Sequence, residues 1–181
     1  MHQDDSELWA FVTGVYAASG TEKVSLKLQD EFGADVVMVL FLVWLGLGGK
    51  QVNLQEMEAL REMAVPWQQA VIGPQRRVRR QLKKLKGRRA EEKYAAAKSS
   101  ELAAERRELA SLLSAALAWG FAFDLGAGSK AAAKANLRSY FETVDAPGLW
   151  PRVRESADLI VDRAAAWAGR RAGLQGPSRT A

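Results

Sequence analysis

Apolar and polar positions repeat with helical period along almost the whole chain. Leu8, Phe11, Val12, Val15 and Tyr16 keep the three- and four-residue spacing of one helix face. Asp5 or Ser6 precedes them as a cap, with carboxylates in the first turn. Ser19-Gly20-Thr21 closes this helix and caps a second, in which Val24, Leu28 and Phe32 recur every fourth residue as far as Gly33. Asp35 then caps Val36 to Leu47, VVMVLFLVWLGL, which ends among Gly46, Gly48 and Gly49. This run is shorter than the roughly twenty apolar residues a bilayer demands, so it predicts the central helix of a globular core. An unbroken apolar run also fits a buried strand; the cap, the length and the helical pattern on either side favour helix. Asn53 with Glu56 forms a capping-box signature, and Leu54, Met57, Leu60 and Ala64 make the face that follows.

From Pro66 the pattern is the longest regular one. Trp67, Val71, Pro74, Val78, Leu82 and Leu85 stay on one face, within about 80° of arc at 100° per residue. They predict a core or helix-packing surface, or a dimer seam if no later helix covers them. Gly73-Pro74 is expected to kink or interrupt this helix. Residues 87–100 are polar and alanine-rich and predict a hinge. Leu102, Leu109, Leu112, Leu113, Ala116 and Leu117 then give a further face, which runs into the aromatic stretch Trp119 to Phe123. Gly126 to Gly128 predicts a loop. Ser129 caps a helix to about Val144 with Leu137, Tyr140 and Phe141 on its apolar face, and Asp145 to Gly148 breaks it. A last helix from Leu149 to Arg171 carries Val153, Ala157, Ile160, Val161, Ala164 and Trp167.

The fold class is all-α: a compact bundle of seven or eight helices with a long basic helix linking the two halves. Residues 1–89 form the first helical region, 90–100 a hinge, 101–172 the helices that pack on it, and 173–181 a tail of disordered composition. The six tryptophans read as core, with Trp150, beside Pro147 and Pro151, as the exception.

Composition narrows the chemistry. The 181 residues include no cysteine, and the single histidine is His2. Disulfides, thiolate metal sites, cysteine nucleophiles and histidine general bases are therefore absent. The glycine clusters Gly46-x-Gly48-Gly49 and Gly126-x-Gly128 follow no strand and lead into no Gly-Lys-Ser/Thr, so neither is a phosphate loop. The expectation is a protein without catalytic residues, cofactor or metal. Its acidic N-terminus, MHQDDSE, lacks the basic-then-apolar order of a signal peptide, so the expected location is the cytoplasm.

Charge is segregated. Residues 1–75 hold four Lys/Arg against ten Asp/Glu, residues 76–98 hold eleven against two, and residues 99–181 hold eleven against nine. The basic block supplies the main candidate site: Arg76, Arg77, Arg79, Arg80, Lys83, Lys84 and Lys86, set to contact RNA, the ribosome or another polyanion. An acidic protein or an anionic membrane surface is an alternative partner, and a solvated face or a fit against the chain's own acidic half is the structural one. The only aromatic of this helix, Trp67, lies on its apolar face, which favours charge-only contact over base stacking. An adaptor or homodimer using apolar faces of the C-terminal helices is the competing functional class. Gln29, Asp30 and Asp35 form a second candidate, a polar junction between two helices, with capping and turn satisfaction as its structural alternative.

One resemblance is carried by Leu8-Trp9-x-Phe11-Val12, Val15-Tyr16, Leu28-Gln29-Asp30, Gly33-x-Asp35-Val36, Trp44-Leu45, Pro66-Trp67 and Arg76, Arg79-Arg80, Leu82-Lys83. Over its first ninety residues the chain resembles a family of small, uncharacterised proteobacterial proteins, a domain of unknown function. The resemblance implies an all-helical fold and no established activity. In that pattern an Asn stands where this chain has Val37 and a Cys where it has Ser25.

Overall fold

The computed structural model describes residues 3–121, 124, 127–144 and 148–174. Its order is α1 (Gln3–Tyr16), α2 (Thr21–Phe32), α3 (Val36–Leu47), α4 (Leu54–Pro66), a π-helical turn (Trp67–Ile72), α5 (Gly73–Leu82), α6 (Arg88–Ala118), α7 (Lys130–Val144) and α8 (Trp150–Leu174). No strand occurs among the described residues. No helix among them is long and apolar enough to cross a membrane.

α3 is the axis of the fold. Every side chain from Val37 to Leu47 is buried, as a run with no polar position requires. Its N-terminus is capped by Asp35, whose Oδ1 accepts from the N–H groups of Val37 (2.9 Å) and Met38 (3.2 Å). α7 lies closest to it. A Cβ added to Gly46 would stand 2.4 Å from the Cα of Ala133, so only glycine permits this approach. The carbonyls of Leu47 and Gly46 accept from the N–H groups of Gly128 and Ser129, both at 3.2 Å. One glycine cluster therefore packs against part of the other. α1, α6 and α8 complete one continuous core around α3, in which each buried aliphatic or aromatic side chain contributes about 1.5–3 kcal/mol.

Asn136 of α7 is wholly buried in this seam. Its Oδ1 accepts from Val52 N–H (2.8 Å), and its Nδ2 donates to the carbonyls of Leu42 (3.1 Å) and Lys50 (3.0 Å). The side chain thereby ties the loop after α3 to α7.

Several expectations are corrected. Gly73-Pro74 does not interrupt the helix: α4, the π turn and α5 run without a break from residue 54 to 82. Pro74 follows directly on the π turn, which widens so that Gly73 N–H reaches the carbonyl of Gln68 and the chain accommodates the proline without breaking. Residues 90–100 are not a hinge but the first turns of α6, because Ala, Glu, Lys and Arg are strong helix formers. The chain turns instead at Gly87, whose φ of 102° suits glycine. The apolar stripe that runs through α5 is not its inward face, since Val78 and, just past the helix, Leu85 are 51% and 60% exposed. Ile72, Arg76 and Arg79 face inward, roughly a third of a turn away. Leu54, Leu102 and Leu117 are likewise exposed. Trp150 is no exception among the tryptophans, for it packs against the core with Trp9, Trp119 and Trp167. His2, Phe123, Gly126, residues 145–147 and the tail from residue 175 lie outside the described residues.

Candidate functional site

The inward arginines of α5 meet a row of carboxylates on α6. Glu101, Glu105 and Glu108 are spaced four and three apart, so they share one helix face. Glu101 and Glu108 are buried, at 4% and 0% exposure. Arg76 bridges the row, its Nε 2.9 Å from Glu101 Oε1 and its Nη2 3.0 Å from Glu105 Oε1. Arg79 also donates to Glu101 through Nε, while Arg80 pairs with Asp30 of α2 at the surface. Burial raises the Glu105 carboxyl above its ordinary range, partly offset by Arg76. The hydrogen bond from Arg80 lowers that of Asp30.

Behind this layer Asp35 and Glu108 face one another. Asp35 Oδ2 and Glu108 Oε1 are both buried, and neither meets a donor as carboxylate oxygens; the two carboxyl groups are in direct hydrogen-bond contact. Burial, and then the charge of Asp35, pushes Glu108 up to about 10. Burial raises Asp35 as well, but its bonds from Val37 and Met38 favour its ionised form. The consistent state is a neutral Glu108 whose hydroxyl donates to an ionised Asp35, which satisfies both oxygens at once. Gln68 Nε2 donates to the remaining oxygen, Glu108 Oε2, at 2.9 Å. That contact comes from the π turn, an element that departs from ordinary helical phase and is often found where a side chain must be re-aimed.

On the outer side of the arginine–glutamate layer is a cavity of about 500 Å³ between α1, α2, the start of α3, α5 and α6. Trp9, Val12, Leu26 and Leu40 supply apolar wall; Arg76 and Glu101 form part of its polar side. Ser25 borders it, with its hydroxyl buried and without a hydrogen-bond partner. The Tyr16 hydroxyl, also on the wall, is held protonated above its ordinary value by burial and then by Glu22.

The seven cations singled out in the sequence thus divide. Arg76, Arg79 and Arg80 are engaged by carboxylates. Arg77, Lys83, Lys84 and Lys86 are exposed and form no ion pair. The polar junction divides too. Gln29 donates to Asp30 (3.2 Å) and both line the cavity, whereas Asp35 turns inward to Glu108. Sequence reasoning missed Gln68, Glu101, Glu105, Glu108, Tyr16 and Ser25. The available signal was on α6, where Glu101, Glu105, Glu108 and Leu112 keep a core spacing of four, three and four. Among the described residues no group of three His, Cys, Asp or Glu side chains is placed to hold a metal ion.

Residues 7–112 match the family described as Protein of unknown function (DUF2390). The chain belongs to this family. The matched segment extends beyond the resemblance read in the first ninety residues and takes in α6 to Leu112, hence all three carboxylates that face α5. α7 and α8 lie outside it. No curated protein and no solved structure matches the chain.

Proposed function

We propose that this DUF2390 protein is a non-catalytic cytoplasmic binding protein that contacts RNA, alone or in the ribosome, through the outward side of α5 and the turn that follows it. The observation that carries this reading is the row of exposed cations at Arg77, Lys84, Lys86 and Arg89, with no carboxylate paired to any of them. Arg88 adds to it, because its pair with Glu92 is 93% and 63% exposed and contributes little. The inner arginines hold α5 against α6 and leave the outer ones to solvent.

About five phosphate contacts predict that affinity falls by a few hundredfold between 50 and 200 mM salt. Titration of a single-stranded RNA at both salts tests this, and an affinity independent of salt excludes it. Arg77→Gln with Lys84→Gln and Lys86→Gln should remove most of the salt dependence without altering the fold. A second reading, a protein–protein adaptor or homodimer, draws support from Val78 on α5 and Leu85 just beyond its end, which are more exposed than the apolar residues Leu102 and Leu117 of α6. It predicts a mass that rises with concentration and returns to monomer on Val78→Glu.

A further inference from the structure

The cavity bears a countable charge. Its three wall arginines are matched by Asp30, Glu101 and Glu105. The charged groups left on the wall are Lys83, Lys98 and Glu22, none of which forms an ion pair, so one positive charge is in excess. An amine ligand would find three of the four wall carboxylates taken by arginines and the fourth, Glu22, outnumbered by Lys83 and Lys98. A dianionic phosphate would be matched by only half its charge, and the N–H groups of Val37 and Met38 at the start of α3 are already given to Asp35.

The remainder of the wall is apolar. Leu26 and Leu102, also lining it, are exposed at 37% and 39%. A volume of about 500 Å³ falls within the usual range for small-molecule sites.

We propose that this cavity binds a small amphipathic monocarboxylate, its carboxylate held by Lys83 and Lys98 and its apolar body laid along Trp9, Leu26 and Leu102. The site lies on the inner side of α5 and shares no residue with the outward cations assigned to RNA, Arg77, Lys84, Lys86, Arg88 and Arg89.

Calorimetric titration of octanoate and 3-phenylpropanoate into the full chain at pH 7 tests the proposal, with octylamine and octanol as controls. The acids should bind saturably with Kd below about 1 mM. The amine and alcohol should bind at least about tenfold more weakly, since the lysine contacts are charge-assisted hydrogen bonds. Lys83→Gln with Lys98→Gln, both exposed positions, should cost the acids about tenfold or more without moving the thermal midpoint. Arg77→Gln with Lys84→Gln and Lys86→Gln should leave acid binding unchanged. The proposal is overturned if neither acid saturates by about 10 mM, if the amine or alcohol binds as well, if the lysine variant binds the acids as wild type does, or if the outer variant abolishes binding.

Discussion

Two buried polar centres along α3 obey opposite rules. Asn136, at the seam of α3 and α7, is neutral, and its amide meets three backbone groups at 2.8–3.1 Å. Asp35 and Glu108, between α3 and α6, are two acids brought together where only a retained proton reconciles them. The first is a complete hydrogen-bonding solution and so serves architecture. The second depends on protonation and on an aimed neighbour, Gln68, and it backs the arginine layer that walls the cavity. Full satisfaction marks a group whose work is folding; an acid pair next to a cavity keeps a chemical degree of freedom.

The sharpest way to test the contrast is at Asn136. Asn136→Ala orphans Val52 N–H and frees the carbonyls of Leu42 and Lys50, and should cost about 3–5 kcal/mol in urea denaturation. A loss below about 1 kcal/mol would mean that water replaces the amide and that the two centres do not differ in kind. Next in size is Gly73→Ala, whose Cβ would stand 2.5 Å from the Gln68 carbonyl oxygen. We expect about 1–3 kcal/mol of destabilisation, together with a change in the titration of Glu108 as Gln68 shifts.

Glu108→Gln separates the centres by pH. In the folded protein Glu108 holds its proton up to about 10, against an ordinary value of 4.5, so between these values the native state binds the extra proton. Stability from this group is complete below 4.5 and declines as pH rises towards 10, by no more than about 1.4 kcal/mol per unit. A glutamine retains the donor and the acceptor without titrating. The variant should therefore be within about 1 kcal/mol of wild type near pH 5 and gain on it steadily to pH 9. Parallel stability curves over that interval would show that Glu108 is ionised in the fold. The smallest effect is expected at Arg77, exposed and unpaired: Arg77→Gln should change stability by less than about 0.5 kcal/mol, whereas Arg76→Gln, which strands Glu101 and Glu105, should cost about 3 kcal/mol.

The local features of the fold were legible because their causes are local. Asp35 before an apolar run, Asn53 with Glu56, and Gly33 at a helix end each name a cap, and all three cap as read. The candidate site was only half legible. The cations of α5 were visible as a block, but which of them turn inward depends on the phase imposed by the π turn between Pro66 and Pro74. The apolar stripe from Trp67 to Leu85 suggested one inward face; the carboxylates of α6 selected another, because Glu101, Glu105 and Glu108 cannot be buried without arginine, amide or proton to meet them.

The sequence by itself determined the helical class, the central place of α3, the capped ends and the segregation of charge, since period, caps and composition act within a few residues. Tertiary structure alone decided that Arg76 and Arg79 are internal, that Asp35 meets Glu108, that Ser25 borders a cavity and that Asn136 closes a seam. These pair residues 22 to 94 positions apart in the chain, and their energy depends on which neighbours share the same low-dielectric space. No periodicity along the chain encodes that neighbourhood.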